Sequence, residues 1–222
     1  MEQRSIEWYK ARLGKITGSQ VWCLMKQPRS KTETFTDTAK TYLYELAAER
    51  RINDTYLNQS FDEWLSRTNV ETYAMRYGTE TEELARQCYE MHLPAELTVK
   101  ETGFCIMPTL ENYGDSPDGV VYNRNSESVG VLEIKCPNPA TFMKYRHQLQ
   151  SGISLKEVEE KYYWQCLSHM MCAGAVWCDF VIFDKMLQDG YYCQRIEYCE
   201  SDILDMRVRI KDANEFIKSI IA

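Results

Sequence analysis

The chain has 222 residues, a formal net charge of −7 and 44% hydrophobic residues, which suits one domain over residues 1–222 with a substantial core. It has no apolar run of about 18 residues, so we expect no membrane span. The N-terminal sequence MEQRSIEWYK lacks the apolar segment of a secretory signal, so the protein is expected in the cytoplasm.

The first part of the chain is predicted to be mainly helical. Ser5 is a candidate N-cap for the first helix, and Gly18 precedes the second. Polar residues 27–37 indicate a loop, and residues 53–60 a loop or an irregular segment. Gly78 is expected to separate two helices. The predicted helices cover residues 5–10, 20–25, 38–51, 61–76 and 80–92.

The rest of the chain is predicted to mix strands and helices. Residues 99–106 alternate like a strand, and 175–183 and 191–198 read as two more. Residues 120–122 and 129–134 flank a polar turn and predict a hairpin. Residues 139–150 are expected to be helical or irregular, and helices are predicted at 154–173 and 201–221. The pattern favours an α/β fold with a central mixed sheet of about five strands flanked by helices.

The predicted hairpin carries a group of chemically active side chains. Asp118 precedes its first strand and, after fourteen intervening residues, the second strand ends in Glu133-Ile134-Lys135. Alternate residues share a strand face, so Glu133 and Lys135 point one way, while Leu132 and Ile134 point into the opposite layer. The hairpin would bring Asp118 beside Glu133. Two carboxylates and a lysine at one place suit a hard cation and an activated water.

A Glu-x-Lys at a strand end is more often a solvated edge, so its flanks matter. Residues 116–119 (SPDG) place the acid in a tight turn, and Pro137 stops the second strand because proline cannot donate to a ladder. The arrangement is similar to the signature of the PD-(D/E)xK nucleases. The nearby Asp115 is interpreted as a turn residue whose side chain binds the backbone.

Composition also bears on cofactors and partners. The nine cysteines include no Cys-x-x-Cys pair, so free thiols are expected rather than ligands of zinc or of an iron–sulfur cluster. The acidic net charge does not exclude a nucleic-acid partner, because binding depends on a local basic surface. Cations cluster at 10–15, 26–31 and 144–147.

Five sequence blocks, taken together, resemble the bacteriophage lambda exonuclease family, the YqaJ-like viral recombinases. They occur in that family's order. The blocks are residues 8–19 (WYKARLGKITGS), 77–82 (YGTETE), 132–137 (LEIKCP), 142–146 (FMKYR) and 162–165 (YYWQ). The resemblance implies a restriction-endonuclease-like core of the PD-(D/E)xK nuclease superfamily.

The resemblance also implies a metal site. Asp118, Glu133 and the backbone carbonyl of Ile134 would bind Mg²⁺, for which Mn²⁺ could substitute. Lys135 would orient the attacking water or stabilise the developing charge. Glu82 matches a helix glutamate that faces the metal, directly or through a water.

Glu82 has a structural alternative. In Thr79-x-x-Glu82 the glutamate would satisfy backbone donors at a helix start, as in a capping box. The sequence alone favours the capping box, whereas the resemblance favours the metal site. Glu80 is a neighbouring acid, but it would face a different direction on the helix.

By resemblance, Arg12 would hold the 5′-phosphate of a DNA end, helped by the hydroxyls of Thr17 and Ser19. A guanidinium can bind a terminal phosphate through paired hydrogen bonds, which lysine cannot do. The alternative is that Arg12 caps the first helix or pairs with Glu7 on the surface.

Four further residues match DNA-contacting positions of the family. Ser116 and Gln165 match phosphate contacts near the cleaved bond, although Gln165 could equally be a helix surface residue. Arg29 resembles an arginine that enters the duplex groove ahead of the active site. Met75 corresponds to an apolar wedge between the strands at the fork, with core packing as its alternative.

The resemblance implies a Mg²⁺-dependent 5′-to-3′ exonuclease acting on double-stranded DNA ends that carry a 5′-phosphate. Such an enzyme releases 5′-mononucleotides and leaves a 3′ overhang for recombination by strand annealing. The family's enzymes are homotrimeric rings that work with a single-strand annealing protein, here in the cytoplasm of a bacterial host of a phage or prophage. Two alternatives remain: a restriction- or repair-type endonuclease with the same metal site, and a non-catalytic DNA-end-binding module.

Overall fold

Helices and strands alternate around two β-sheets. This computed structural model describes residues 1–68 and 73–222, the side chains of 73–75 excepted. The strands are β1 (Ile16–Thr17), β2 (Thr98–Lys100), β3 (Cys105–Ile106), β4 (Tyr113–Asp115), β5 (Gly119–Tyr122), β6 (Ser128–Lys135), β7 (Trp177–Phe183) and β8 (Tyr191–Glu197). The helices are α1 (Ile6–Arg12), α2 (Gly18–Met25), α3 (Asp37–Glu49), α4 (Asp54–Thr68), α5 (Tyr73–His92), α6 (Pro139–Gln150), α7 (Leu155–Val158), α8 (Glu160–Ala173) and α9 (Glu200–Ile221).

The larger sheet has five strands in the order β2-β5-β6-β7-β8. Strands β6 and β7 are parallel, and the other neighbours are antiparallel. Helices α6, α7 and α8 form the crossover between the parallel strands, which a hairpin cannot join. The smaller sheet has the order β1-β4-β3 and ties the N-terminal region to the middle of the chain. The predicted mixed five-stranded sheet with flanking helices is confirmed.

Strand β6 lies in the middle of the sheet, and both of its faces are covered. On one face, Leu132 and Ile134 pack in a cluster with Ala85 of α5. On the other, Val131 belongs to the main core, which includes Leu167 of α8. This alternation places the side chain of every second β6 residue in the same layer, as predicted.

Helix α4 begins earlier than the sequence indicates. Residues 53–60 are polar and were expected to form a loop or an irregular segment, yet the helix starts at Asp54. The Asn53 side chain accepts a hydrogen bond from the Thr55 backbone N–H at 2.8 Å, which satisfies a donor at the helix start. The helix is irregular at Ser60, where φ is −138°. The polar run is therefore a capped helix start followed by a kink.

Three other predicted boundaries are wrong. Gly78 lies inside α5 rather than between two helices, and a Cβ added there would have no neighbour within 4 Å. Residues 99–106 form two short strands in different sheets, because 101–104 carry the chain from one sheet to the other. The predicted helix 154–173 is divided into α7 and α8 at Glu159, where φ is −157°.

All nine cysteines are free thiols, and three of them, Cys23, Cys166 and Cys178, are buried. Among residues 1–68 and 73–222, no helix is long and apolar enough to cross a membrane.

The core prediction concerns Leu167, which is fully buried on α8. Leu167→Ala should lower the free energy of unfolding by about 2–5 kcal/mol, because it removes buried apolar contacts and leaves a cavity. Urea denaturation would measure this loss. The matched control is Leu84→Ala, on the exposed side of α5, which should change stability by less than about 0.5 kcal/mol. Equal losses for both variants would contradict this account of the core.

Candidate active site

The β5–β6 hairpin fixes the backbone of Asp118 against β6. The Asp118 N–H donates to the Leu132 carbonyl at 3.0 Å, and its side-chain Oδ2 accepts from the Ile134 N–H at 2.7 Å. The next pair in register is Gly119 with Leu132. The structure therefore has the predicted hairpin, and it brings Asp118 to the strand end that carries Glu133.

Glu133 is fully buried and lies between two cationic groups. One carboxylate oxygen contacts the Lys135 ammonium, and the other lies 2.5 Å from His169 Nε2. The Lys135 side chain remains 25% exposed, and its ammonium lies 5.1 Å from the centre of the Tyr162 ring. Lys135 thus faces both the buried carboxylate and solvent.

Asp118, Glu133 and Lys135 strongly shift one another's pKa values. Burial, Glu133 and Glu82 raise the pKa of Asp118 well above its usual value, although Lys135 opposes them. Burial also disfavours a charged Glu133, but Lys135 and His169 outweigh it and lower the pKa of that carboxyl. Burial opposes the charge on Lys135, and the two carboxylates outweigh it and raise the pKa of the lysine. At Asp118, burial and the neighbouring acids therefore outweigh the effect of Lys135.

A buried polar chain leads away from Glu133, and the sequence interpretation missed it. His169 Nδ1 lies 2.8 Å from Asp115 Oδ2, and that oxygen also accepts from the Ser168 hydroxyl. Ser168 in turn hydrogen-bonds the Tyr113 hydroxyl. Burial disfavours the imidazolium, but Asp115 and Glu133 outweigh it and raise the pKa of His169 well above its usual value. Its two ring N–H groups therefore donate to two carboxylates.

Asp115 corrects part of the sequence interpretation. Its Oδ1 does accept the Ser116 backbone N–H at 2.8 Å, as a turn residue would. Its other oxygen belongs to the buried chain, however, and the side chain is almost fully buried. A Cβ at Gly18 would lie 1.9 Å from Asp115 Oδ2, so only glycine lets the start of α2 approach this closely. The sequence signal was His169 itself, one turn after Gln165 on the same helix.

Glu82 lies within α5, about two turns after the helix begins. The capping-box alternative is wrong, because Thr79 is inside the helix rather than at its start. Glu82 Oε2 forms an ion pair with Arg4 Nη2 at 2.7 Å. It lines a cavity of about 540 Å³ together with Ile134 and Lys135. Glu82 is thus brought to the end of β6 that carries the Glu-x-Lys.

The donor set fits a hard divalent cation. Asp118 and Glu82 offer carboxylate oxygens, and Mg²⁺ prefers oxygen ligands. Burial, followed by the neighbouring Glu133 and Glu82, raises the pKa of Asp118, and a bound cation would favour its ionised form. Within the described ranges, no three His, Cys, Asp or Glu side chains already form a metal-binding group, and both Glu133 oxygens contact Lys135 and His169.

Arg12 ends α1, and its guanidinium stacks 4.1 Å from the centre of the Trp8 ring. Burial lowers the pKa of Arg12, against the attraction of Asp115. In the part of the chain that the structure describes, its contacts include neither a cap of α1 nor an ion pair with Glu7. Trp8 Nε1 donates to Ser116 Oγ at 2.9 Å, which links Arg12 to the loop before Asp118.

Thr17 and Ser19 lie at the start of α2, with their hydroxyls 3.3 Å apart. Thr17 shares a cavity of about 200 Å³ with Arg12 and Lys15. The structure thus places Thr17 beside Arg12, with two cationic side chains at one small cavity.

The remaining predicted residues occupy different surroundings. Gln165 is 8% exposed on α8, so the helix-surface alternative is wrong. Arg29 is exposed and lines a separate cavity of about 490 Å³ with Glu33 and Asp37. Met75 lies in the first turn of α5, but its side chain falls outside the described residues.

The mixed five-stranded sheet flanked by helices is the restriction-endonuclease-like fold of nucleases. A family model for the YqaJ-like viral recombinase domain matches residues 7–176. The chain belongs to that family.

Solved structures agree with this assignment. The alkaline exonuclease LHK-Exo from Laribacter hongkongensis is 30% identical, with a TM-score of 0.74 over 98% of this chain and 94% of that chain. Its complex with dAMP matches equally well. A phage-related exonuclease from Haemophilus somnus 129PT is 18% identical, with a TM-score of 0.61 over 93% of this chain and 95% of that chain, and it shares the fold. No curated protein matches the chain.

The buried chain generates a stability prediction. His169→Ala would leave the Glu133 and Asp115 carboxylates without their shared donor, so the free energy of unfolding should fall by about 3–5 kcal/mol. Urea denaturation at neutral pH would measure this change. His147→Ala on the exposed side of α6 is the matched control and should be nearly neutral. A His169→Ala variant as stable as that control would show that the imidazole does not compensate the two carboxylates.

Proposed function

We propose that the chain is a Mg²⁺-dependent 5′-to-3′ exonuclease on double-stranded DNA ends. It releases 5′-mononucleotides and leaves a 3′ single-stranded overhang for phage-type recombination by strand annealing. The observation that carries the proposal is the convergence of Asp118, Glu133 and Lys135 at one sheet end. The likeness to LHK-Exo over almost the whole chain supports it, and that enzyme's complex with dAMP supports a mononucleotide product.

In this proposal, Asp118, Glu133 and the Ile134 carbonyl bind Mg²⁺, and Glu82 adds a ligand directly or through a water. Mn²⁺ could substitute, since it accepts similar oxygen ligands. When bound, the ion supplies charge neutralisation at the phosphate and makes a water more acidic. The proximity of Glu133 and Glu82 to the buried Asp118 carboxyl supports this role.

Lys135 has a separate task. Its ammonium stays charged beside Glu133 while part of the side chain reaches solvent. It can therefore orient an attacking water or stabilise charge that develops on the phosphate. His169 holds the other oxygen of Glu133, so the carboxylate keeps one orientation.

The DNA end would be held by side chains of the N-terminal part of the chain. Arg12 binds the 5′-phosphate with the hydroxyls of Thr17 and Ser19 at the start of α2. The guanidinium is held by stacking on Trp8, and its donors have no acceptor within the described ranges, which supports this role. Holding the strand end also fixes the position of the bond to be cut.

Four further residues complete the proposed DNA contacts. Ser116 and Gln165 would contact phosphates near the cleaved bond, and the Trp8 hydrogen bond already orients Ser116. Arg29 would enter the duplex groove, which its exposure permits. Met75 would separate the strands at the fork.

We further propose that residues 1–222 act as one domain in a homotrimeric ring, with a single-strand annealing protein as partner, in the host cytoplasm. Digesting linear and closed circular duplex in parallel tests the central proposal. Loss of the linear substrate alone supports an exonuclease. Cutting of the circle would favour an endonuclease, and binding of ends without cleavage would favour a non-catalytic module.

One test of the proposed function is to remove a proposed metal ligand. Asp118→Ala should reduce cleavage of linear duplex on the order of 10³-fold or more, because a carboxylate that holds the cation is lost. Release of acid-soluble nucleotides in Mg²⁺ would measure this loss. Binding of the same duplex in Ca²⁺ should survive. Turnover close to wild type would reject Asp118 as a ligand.

A second prediction concerns the strand end. Wild-type protein should degrade 5′-phosphorylated duplex faster than 5′-hydroxyl duplex, because a phosphate monoester carries additional negative charge for Arg12 to bind. Arg12→Ala should lose this preference and its processivity yet keep some cleavage. Initial rates on both substrates measure the ratio, with Arg124→Ala in the exposed β5–β6 turn as control. An unchanged ratio in Arg12→Ala would exclude the phosphate-anchor role.

A further inference from the structure

The N-terminal segment before α1 is fastened beside the hairpin. The Gln3 side-chain amide donates to two backbone carbonyls, those of Thr102 at 2.8 Å and Pro117 at 2.9 Å. Pro117 directly precedes Asp118. The segment therefore crosses from the start of α1 to the proposed metal site.

Arg4, the next residue, has an unusual backbone conformation. Its φ is 63°, in the left-handed region that residues with a Cβ rarely adopt. The bonds of Gln3 hold one side of this residue. On the other side, Ser5 donates its hydroxyl to the Glu2 carbonyl at 2.8 Å and accepts the Trp8 N–H at 3.2 Å. The turn is thus held from both sides, and it directs the Arg4 side chain toward α5.

The Arg4 guanidinium reaches the same cavity as the Glu-x-Lys. Its Nη2 donates to Glu82 Oε2 at 2.7 Å, and its side chain is 43% exposed. The guanidinium has five N–H donors, and in the part of the chain that the structure describes Glu82 is the one acceptor that they bind. Glu82 therefore orients the guanidinium without occupying all its donors.

Arg4 and Glu82 both line the cavity of about 540 Å³ into which these donors open. Lys135 and Lys161 also line it, and the Lys161 ammonium lies 4.6 Å from the centre of the Tyr162 ring. In the described ranges Lys161 has no carboxylate partner. Arg4 and Lys161 thus offer donors that protein groups do not satisfy, beside the lysine that faces the reaction. A phosphate group is the ligand that best matches these cationic donors.

We propose that Arg4 is a substrate-binding residue of the active site, which holds a phosphodiester oxygen of the strand being cut while Glu82 orients its guanidinium. The inference rests on the proposed function and deepens it. A planar guanidinium can bind a carboxylate and a phosphate through different N–H groups, which an ammonium does less well. Arg4 would act at the cut strand beside Lys135, whereas Arg12 acts at the 5′-terminus from another cavity.

A competing explanation is that Arg4 acts only through Glu82. Removing Arg4 would then merely leave the Glu82 carboxylate uncompensated. Neutralising Glu82 separates the two explanations, because Glu82→Gln removes the charge that Arg4 would offset while keeping the side-chain shape.

The experiment measures binding of 5′-phosphorylated duplex in Ca²⁺, without turnover, for five proteins. They are wild type, Arg4→Ala, Glu82→Gln, the double variant, and Arg124→Ala as the matched exposed arginine. Arg4→Ala should bind about 10-fold more weakly than wild type, and the double variant should be weaker than Glu82→Gln by a similar factor. In both comparisons, removing the Arg4 side chain should reduce the slope of log affinity against log salt by about 0.9, as expected for one lost phosphate contact.

The proposal is overturned if the double variant binds as tightly as Glu82→Gln with the same salt slope. It is also overturned if Arg4→Ala and Arg124→Ala are equivalent. Urea denaturation of each variant identifies a loss of folding. Arg4→Lys keeps the charge but not the planar guanidinium, so it should recover part of the affinity that Arg4→Ala loses. Failure of wild type to degrade linear duplex would reject the proposed exonuclease instead, and the binding series would still report on Arg4.

Discussion

The buried carboxylate of Glu133 is held between the Lys135 ammonium and the imidazole of His169. An ionised carboxylate without such partners would be very costly at this depth. Its partners bring together elements far apart in the chain, because His169 belongs to α8 and hydrogen-bonds Asp115 at the end of β4. Asp115 in turn requires Gly18 at the start of α2. The packing of three elements around the hairpin thus follows from satisfying one charge.

The same electrostatics separates the roles of the carboxylates. Glu133 is compensated within the protein, whereas Asp118 carries a pKa raised by burial and by neighbouring acids. A divalent cation would relieve that imbalance, which is why we place it near Asp118. The chain is acidic overall, yet the cavities near the site are lined by Arg4, Arg12, Lys15, Lys135 and Lys161. A net charge of −7 therefore says little about the surface that a DNA end would meet.

The sequence predicted the sheet and the hairpin because both depend on local periodicity. Strands β5 and β6 alternate clearly, and the turn between them is polar, so Asp118 and Glu133 could be paired without a structure. Boundaries set by wider contacts were not predictable in this way. Asn53 starts a helix in a polar run, Gly78 is tolerated inside α5, and residues 99–106 divide between two sheets.

The sequence by itself determined the family, the hairpin and the Glu-x-Lys, since these are patterns of neighbouring residues. Only the tertiary structure decided that His169 and Asp115 support Glu133, that Gln165 is buried, and that Arg4 reaches Glu82. Arg4 and Glu82 are 78 positions apart, and His169 and Glu133 are 36 apart. No periodicity encodes such pairs, because they form when separate elements pack and their buried or confined charges must find partners.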